Sequence, residues 1–217
     1  MKQELTINLL CKEAKIFAET ESTHKEPSVF GVTDGKAVGT YLEHKFQKYL
    51  HEKYIYKEGC SAKGIDFPEI LVDIKVTCIK QPQSSCPFKN ARQKIFGLGY
   101  SLLLFVYEKI DDSDTRTSIL NILHSIFIEE QRTADYQITT GILNILKNNG
   151  NNEDISAFLY AHLLPVEEIQ AMQIADEIIE NPPNIGYLTI SNALQWRLQY
   201  RRVIEEADKV NGVHRIR

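Results

Sequence analysis

The sequence predicts an α/β (α+β) protein: a central mixed sheet flanked by helices, with a helical region toward the C-terminal end. Three observations point that way. Between Leu71 and Ile128, β-branched and apolar runs are separated by glycine- and proline-rich turns. Before them, residues 36–53 repeat apolar side chains at helical spacing. After Thr133, amphipathic runs are parted by NNGNN, a proline and PPNIG.

In order along the chain, residues 3–19 set Leu5, Leu9, Ala14, Ile16 and Phe17 in an imperfect helical pattern, and the polar stretch from Glu19 to Pro27 reads as loop. Lys36 to Lys53 is an amphipathic helix with Val38, Leu42, Phe46, Tyr49 and Leu50 on one stripe and Glu43 beside it. Leu71 to Ile79 reads as a strand, KQPQSSCPF (80–88) as a loop, and about 89–97 as a helix ended by Gly97 and Gly99. SLLLFVYE (101–108) is apolar throughout, which fits a strand covered on both faces at the centre of the sheet. Ile119 to Ile128 reads as its antiparallel neighbour, with a helix as the alternative. Four helices follow, the last over TISNALQWRLQYRRVIEEA, capped by Thr189 or Ser191, with Trp196 in the core.

Composition narrows the class. Hydrophobic residues make up 43% and charged residues 25%, so a packed core is expected and disorder is not. Cys11, Cys60, Cys78 and Cys86 show no metal-ligand or disulfide-framework spacing and read as reduced thiols. With neither a signal-peptide pattern nor a run long enough to span a bilayer, a cytoplasmic protein without membrane contact is expected. The phosphate-loop spacing, the GxSxG elbow and HExxH are all absent, which sets aside those NTPase, hydrolase and zinc-protease chemistries.

The net charge of −4 looks unfavourable for nucleic acid, but its distribution is uneven. From Ile74 to Lys94 there is no acid, while Lys75, Lys80, Lys89, Arg92 and Lys94 all fall there; Thr189 to Arg202 is a second acid-free stretch with Arg197, Arg201 and Arg202. Asp73-Ile74-Lys75 sits in the predicted strand, so Asp73 and Lys75 share one face and Val72, Ile74 and Val76 the other. A tight hairpin over Phe67 to Val72 makes Asp66 and Asp73 cross-strand partners. Two converging carboxylates are hard-oxygen ligands for Mg²⁺, the Ile74 carbonyl is a further ligand, and Lys75 can orient the attacking water and stabilise a pentavalent phosphorus. An acid two residues before a lysine also occurs at Glu13, Asp34 and Glu43, so the tripeptide alone selects nothing; its strand context does. The alternative is a surface hairpin with an exposed Asp73–Lys75 ion pair.

The order of a helix bearing Glu43, GIDFPEILVDIKVT, a helix and the strand SLLLFVYEK resembles the catalytic core of the PD-(D/E)XK nuclease superfamily, especially type II restriction endonucleases, over about residues 36–128. The resemblance implies a restriction-endonuclease-like fold and a Mg²⁺-dependent cut in double-stranded DNA leaving a 5′-phosphate. Its catalytic residues would be Asp66, Asp73 and Lys75, with Glu43 as the helical acid. Ile65 stands where the motif has proline, and six residues separate the two acids. The expected division is a nuclease core over 1–130 and a helical region over 131–217 for DNA contact or for the dimer interface of a homodimer, either separate or packed into one domain.

For DNA contact, Gln81, Gln83, Ser84 and Ser85 can reach base edges, with Lys80, Lys89, Arg92 and Lys94 on phosphate; Arg197 and Arg201 would lie together on the last helix. A repair or junction-resolving nuclease on the same core, or an inactive DNA-binding or interaction module, remains an alternative reading.

Overall fold

A computed structural model of the chain describes residues 2–59, 64–85, 90–191 and 197–217. The elements run β1 (Gln3–Glu4), α1 (Ile7–Glu21), β2 (Lys25–Glu26), α2 (Gly35–Lys53), β3 (Tyr54–Ile55), β4 (Val72–Cys78), β5 (Gln83–Ser85), α3 (Arg92–Phe96), β6 (Ser101–Asp112), β7 (Thr117–Ile128), a 3₁₀ turn (Glu130–Arg132), α4 (Tyr136–Lys147), α5 (Asn152–Ala161), α6 (Glu168–Glu180), β8 (Thr189–Ile190), β9 (Arg197–Gln199), α7 (Arg201–Glu206) and β10 (Val213–Arg215).

The main sheet has the order β10-β7-β6-β4, with β2 added to the far stretch of β7. β4 and β6 are parallel, whereas β6 with β7 and β7 with β10 are antiparallel, giving the expected mixed sheet. From Leu102 to Tyr107, β6 is buried on both faces, which explains its unbroken apolar run. Leu103, Phe105 and Tyr107 pack toward α1 and α2, while Leu102, Leu104 and Val106 pack toward β8, β9 and α7. On the first side, the rings of Phe17 and Phe46 lie 4.9 Å apart, and those of Phe46 and Phe105 5.1 Å apart. Burying side chains of this size stabilises by roughly 1.5–3 kcal/mol each.

In β7, Val106 pairs with His124 but Tyr107 pairs with Ile122. The extra residue, Leu123, forms a bulge that switches which parity of β7 faces each core: Leu120 and Ile122 join one side, Ile126 and Ile128 the other. A third cluster joins α3 to α4, α5 and α6 through Ile95, Ile138, Ile142, Leu159 and Ile178. Asp135 seats α4 by accepting the Ile138 N–H, at 3.0 Å, and its other carboxylate oxygen accepts the Ile190 N–H, at 2.7 Å.

The C-terminal expectation needs correcting. TISNALQWRLQYRRVIEEA is not one helix: β8, β9 and the short α7 occupy its described residues, with 192–196, and hence Trp196, outside them. Leu188 and Ile190 are buried about Thr189, and Leu198 and Tyr200 flank Gln199, so the burial period is two, not 3.6. Residues 83–85, expected as loop, form β5 against β9. β10 returns the chain to the main sheet beside β7. Cys11 and Cys78 are free thiols, while Cys60 and Cys86 lie outside the described residues. Among the described residues, no helix is long and apolar enough to cross a membrane.

Candidate active site

β4 ends the path of the main sheet, and the site is built on its open edge and on one of its faces. Val72 and Ile74 point into the α1–α2 core. Asp73 and Lys75 therefore project from the opposite face, where they stand in register with Leu102 and Leu104 of β6.

The turn before β4 sets the second carboxylate. Phe67 N–H donates to Val72 O at 2.9 Å and Val72 N–H to Phe67 O at 3.2 Å. The next pair outward in that antiparallel register is Asp66 with Asp73. Asp66 is then fixed from several directions. Its Oδ2 accepts the Ile74 N–H at 2.8 Å, its Oδ1 accepts the Gln47 side-chain amide at 3.1 Å, and its carbonyl accepts the Gly59 N–H at 2.9 Å. Gly59 has no substitute at this approach, because a Cβ there would lie 1.7 Å from the Ile65 carbonyl oxygen.

α2 runs along the same edge. Gly39, Glu43 and Gln47 follow one another at four-residue steps and so share a stripe. A Cβ on Gly39 would sit 3.5 Å from the Val76 carbonyl oxygen, so the helix passes close to the strand. One turn on, the Glu43 carboxyl is pushed up to about 7, first by burial and then by the charge of Asp66, with Lys75 opposing. A further turn brings Gln47 to Asp66. Polar pins hold the far side of α2 to α1: Lys45 pairs with Glu21 at 2.9 Å and Lys53 with Glu13 at 2.7 Å.

Asp73 is 3% exposed, and Lys75 Nζ lies 2.5 Å from its Oδ2. That ion-pair contact lacks hydrogen-bond geometry, and Oδ2 has no hydrogen-bond partner among the described residues. Burial raises the Asp73 carboxyl above the ordinary carboxylate range, Lys75 works against this, and Asp66 raises it further. A buried carboxylate, its charge disfavoured by burial and by a second carboxylate beside it, suits a hard cation. In a strand, N–H and C=O of one residue leave by the same edge, so the Ile74 carbonyl shares the edge that Asp66 occupies. Among the described residues, no three His, Cys, Asp or Glu side chains close into a metal cage. Two carboxylates plus a backbone oxygen, with water completing the shell, is the manner in which Mg²⁺ is commonly held.

The structure thus brings Asp66, Asp73, Lys75 and Glu43 together, and it adds Gln47, which sequence reasoning missed. The signal for Gln47 was its four-residue step from Glu43 on a helix already recognised as amphipathic.

The expected DNA-contact residues divide. Lys80 and Gln81 are exposed just beyond β4, and Arg201 is exposed at the start of α7. Gln83 and Ser85 stand on β5, opposite Gln199 and Arg197 of β9. Arg197 and Arg201 accordingly lie on a strand and a helix and not on one helix face. Ser84 points inward, where its hydroxyl shares a 2.6 Å hydrogen bond with Tyr200 in the core. Arg92 pairs with Glu177. Lys94 is 3% exposed, and its ammonium is lowered in pKa by burial, with Asp135 opposing; so buried, it cannot reach a phosphate. Lys89 lies outside the described residues.

No solved structure matches the chain. A family profile described as Type II restriction enzyme NspV matches residues 4–215. The Type II restriction enzyme NspV of Nostoc sp. (strain ATCC 29411 / PCC 7524) is 64% identical over 209 residues, which cover 96% of this chain and 95% of that protein. Matched along nearly its whole length, the chain belongs to the NspV family of type II restriction enzymes.

Proposed function

We propose that the chain is a Mg²⁺-dependent, site-specific endonuclease that hydrolyses phosphodiester bonds of double-stranded DNA. Membership in a family of type II restriction enzymes supports the substrate and the reaction class. The observation that carries the chemistry is the meeting of Asp66, Asp73 and Lys75 at the edge of β4, with the Asp73 carboxylate buried among them. Held by the two carboxylates and the Ile74 carbonyl, Mg²⁺ would supply neutralisation of the charge on the scissile phosphate.

The chain's own groups do the rest. Lys75, anchored by Asp73, presents an ammonium group that orients a water toward phosphorus and stabilises the charge of the pentavalent transition state. The water oxygen bonds to phosphorus and releases a proton to solvent, the bond to the 3′ oxygen breaks and that oxygen takes up a proton from solvent, and the products are a 5′-phosphate and a 3′-hydroxyl. Gln47 and the Ile74 amide keep Asp66 in place, and Glu43 completes the acidic side opposite Lys75.

Incubating purified protein and plasmid with Mg²⁺ should give discrete fragments. Asp73→Ala should lower cleavage by at least about 10³-fold, on the scale seen for lost transition-state groups, with an unchanged circular dichroism spectrum. Wild-type activity in that folded variant would remove the site assignment.

A homodimer fits the reading, because a palindromic site calls for a twofold enzyme. Leu163 just after α5 and Ile169 in the first turn of α6, 76% and 75% exposed, offer apolar surface for it. Sedimentation should give twice the chain mass, and Leu163→Glu should shift it toward the single-chain value; a wild-type protein that sediments as one chain at all concentrations would exclude the dimer.

A further inference from the structure

The β5–β9–β8 sheet has two unlike faces. Gln83 pairs with Gln199 and Thr189 also pairs with Gln199, so these three side chains make a row across the sheet; Ser85 and Arg197 stand in the adjacent row. The intervening residues Ser84, Leu198 and Ile190 face the opposite way, and Leu198, Ile190 and Tyr200 belong to the core cluster beneath. No described residue hydrogen-bonds the side-chain amide of Gln83 or Gln199.

This sheet is tied to the catalytic strand. Thr77 is on the same face of β4 as Asp73 and Lys75, two residues beyond the lysine. Its hydroxyl donates to Gln83 O at 3.0 Å and accepts the Gln83 N–H at 2.9 Å. Two residues of strand span about 7 Å, so the amide row begins beside the place where the phosphodiester would be cut. Tyr200 N–H donates to Pro82 O at 2.9 Å and fixes the other end.

We propose that the outward face of this sheet enters the major groove and reads adenine-bearing base pairs through the neighbouring carboxamides of Gln83 and Gln199. The inference rests on the endonuclease reading and names its specificity element. A glutamine amide can accept from adenine N6 and donate to N7 at once, and a narrow β-ribbon fits the major groove. Cross-strand partners have Cβ atoms about 5 Å apart, and stacked bases rise about 3.4 Å, so two adjacent amides can engage successive base pairs. No acid lies on the chain from Ile74 to Lys94 or from Thr189 to Arg202, so neither run that builds the sheet opposes the approach of DNA with negative charge.

The test is a randomised duplex library cut by full-length enzyme with Mg²⁺, with sequencing of the cut ends for wild type, Gln83→Ala and Gln199→Ala. Each variant is expected to lose about 10- to 100-fold of discrimination at an A·T pair, the range for one bidentate base contact, with preferences at the other positions retained. Replacing that adenine by 7-deazaadenine, which lacks N7, should slow the wild type and leave the matching variant unaffected. If Gln199→Ala in the middle strand fails to fold, Gln83→Ala on the edge strand carries the test alone. Variants that cut more slowly with unchanged preference at every position overturn the proposal and leave the endonuclease reading standing. A wild-type enzyme that cuts nothing overturns both.

Discussion

The cutting centre and the small β5–β9–β8 sheet adjoin through Thr77, yet they are built in opposite ways. Asp66, Asp73 and Lys75 fall within ten consecutive residues and are locked by local turns, a strand and one helix stripe. The small sheet joins Ser84 to Tyr200, which are 116 positions apart in sequence, and it presents side-chain amides that nothing in the described protein satisfies. One region has its polar groups inside and restrained; the other keeps its polar groups outward and available. Restrained groups suit bond-breaking, where small displacements are costly, and available groups suit recognition, where the partner supplies the missing bonds.

Substitutions can break this contrast. After loss of Asp73 itself, the largest expected effect belongs to the backbone that aims Asp66. Gly59→Ala drives a methyl into the Ile65 carbonyl and displaces Asp66, so kcat should fall by about 10²-fold, the scale of an ångström of misplacement. The cleavage pattern on plasmid should stay the same. A changed pattern with full rate would show that the two regions are not separable in this way.

A smaller effect sharpens the boundary on the basic side. Lys94 lies in the acid-free stretch that suggests DNA contact, but it is buried near Asp135. Lys94→Met should lower stability, because the buried Asp135 keeps its charge without the nearby ammonium, an effect that thermal or urea unfolding would read. The dependence of DNA affinity on salt should be unchanged, because no phosphate contact is lost. A flatter salt slope with an unchanged melt would return Lys94 to the DNA surface.

The same contrast explains what could be read from the sequence. The alternating side chains of Val72 to Val76, the punctuation around Asp66 and the apolar stretch of β6 each report on short-range geometry, so the strand, the facing acids and the buried neighbour were legible. Glu43 was visible as a helical acid, and its placement came from a stripe beginning at Gly39, where the absence of a side chain lets α2 approach Val76. The small sheet was not legible. Leu194, Arg197, Leu198 and Arg201 mimic three- and four-residue steps, while the true period of two is carried by strands of two and three residues, and β5, the partner of β9, lies more than a hundred residues away. For Lys94, charge density along the chain says nothing about depth, and only the packing of α3 against α4 revealed that its ammonium is inside.

The bond from the Ile74 amide to Asp66 has a practical side. An outermost strand with bare amides is a template on which other chains can add, and here a carboxylate covers the amide that faces outward. Alanine at position 66 would remove that cover along with any metal affinity, inviting aggregation. For an inert protein to crystallise on DNA, Asp73 is the safer position to alter.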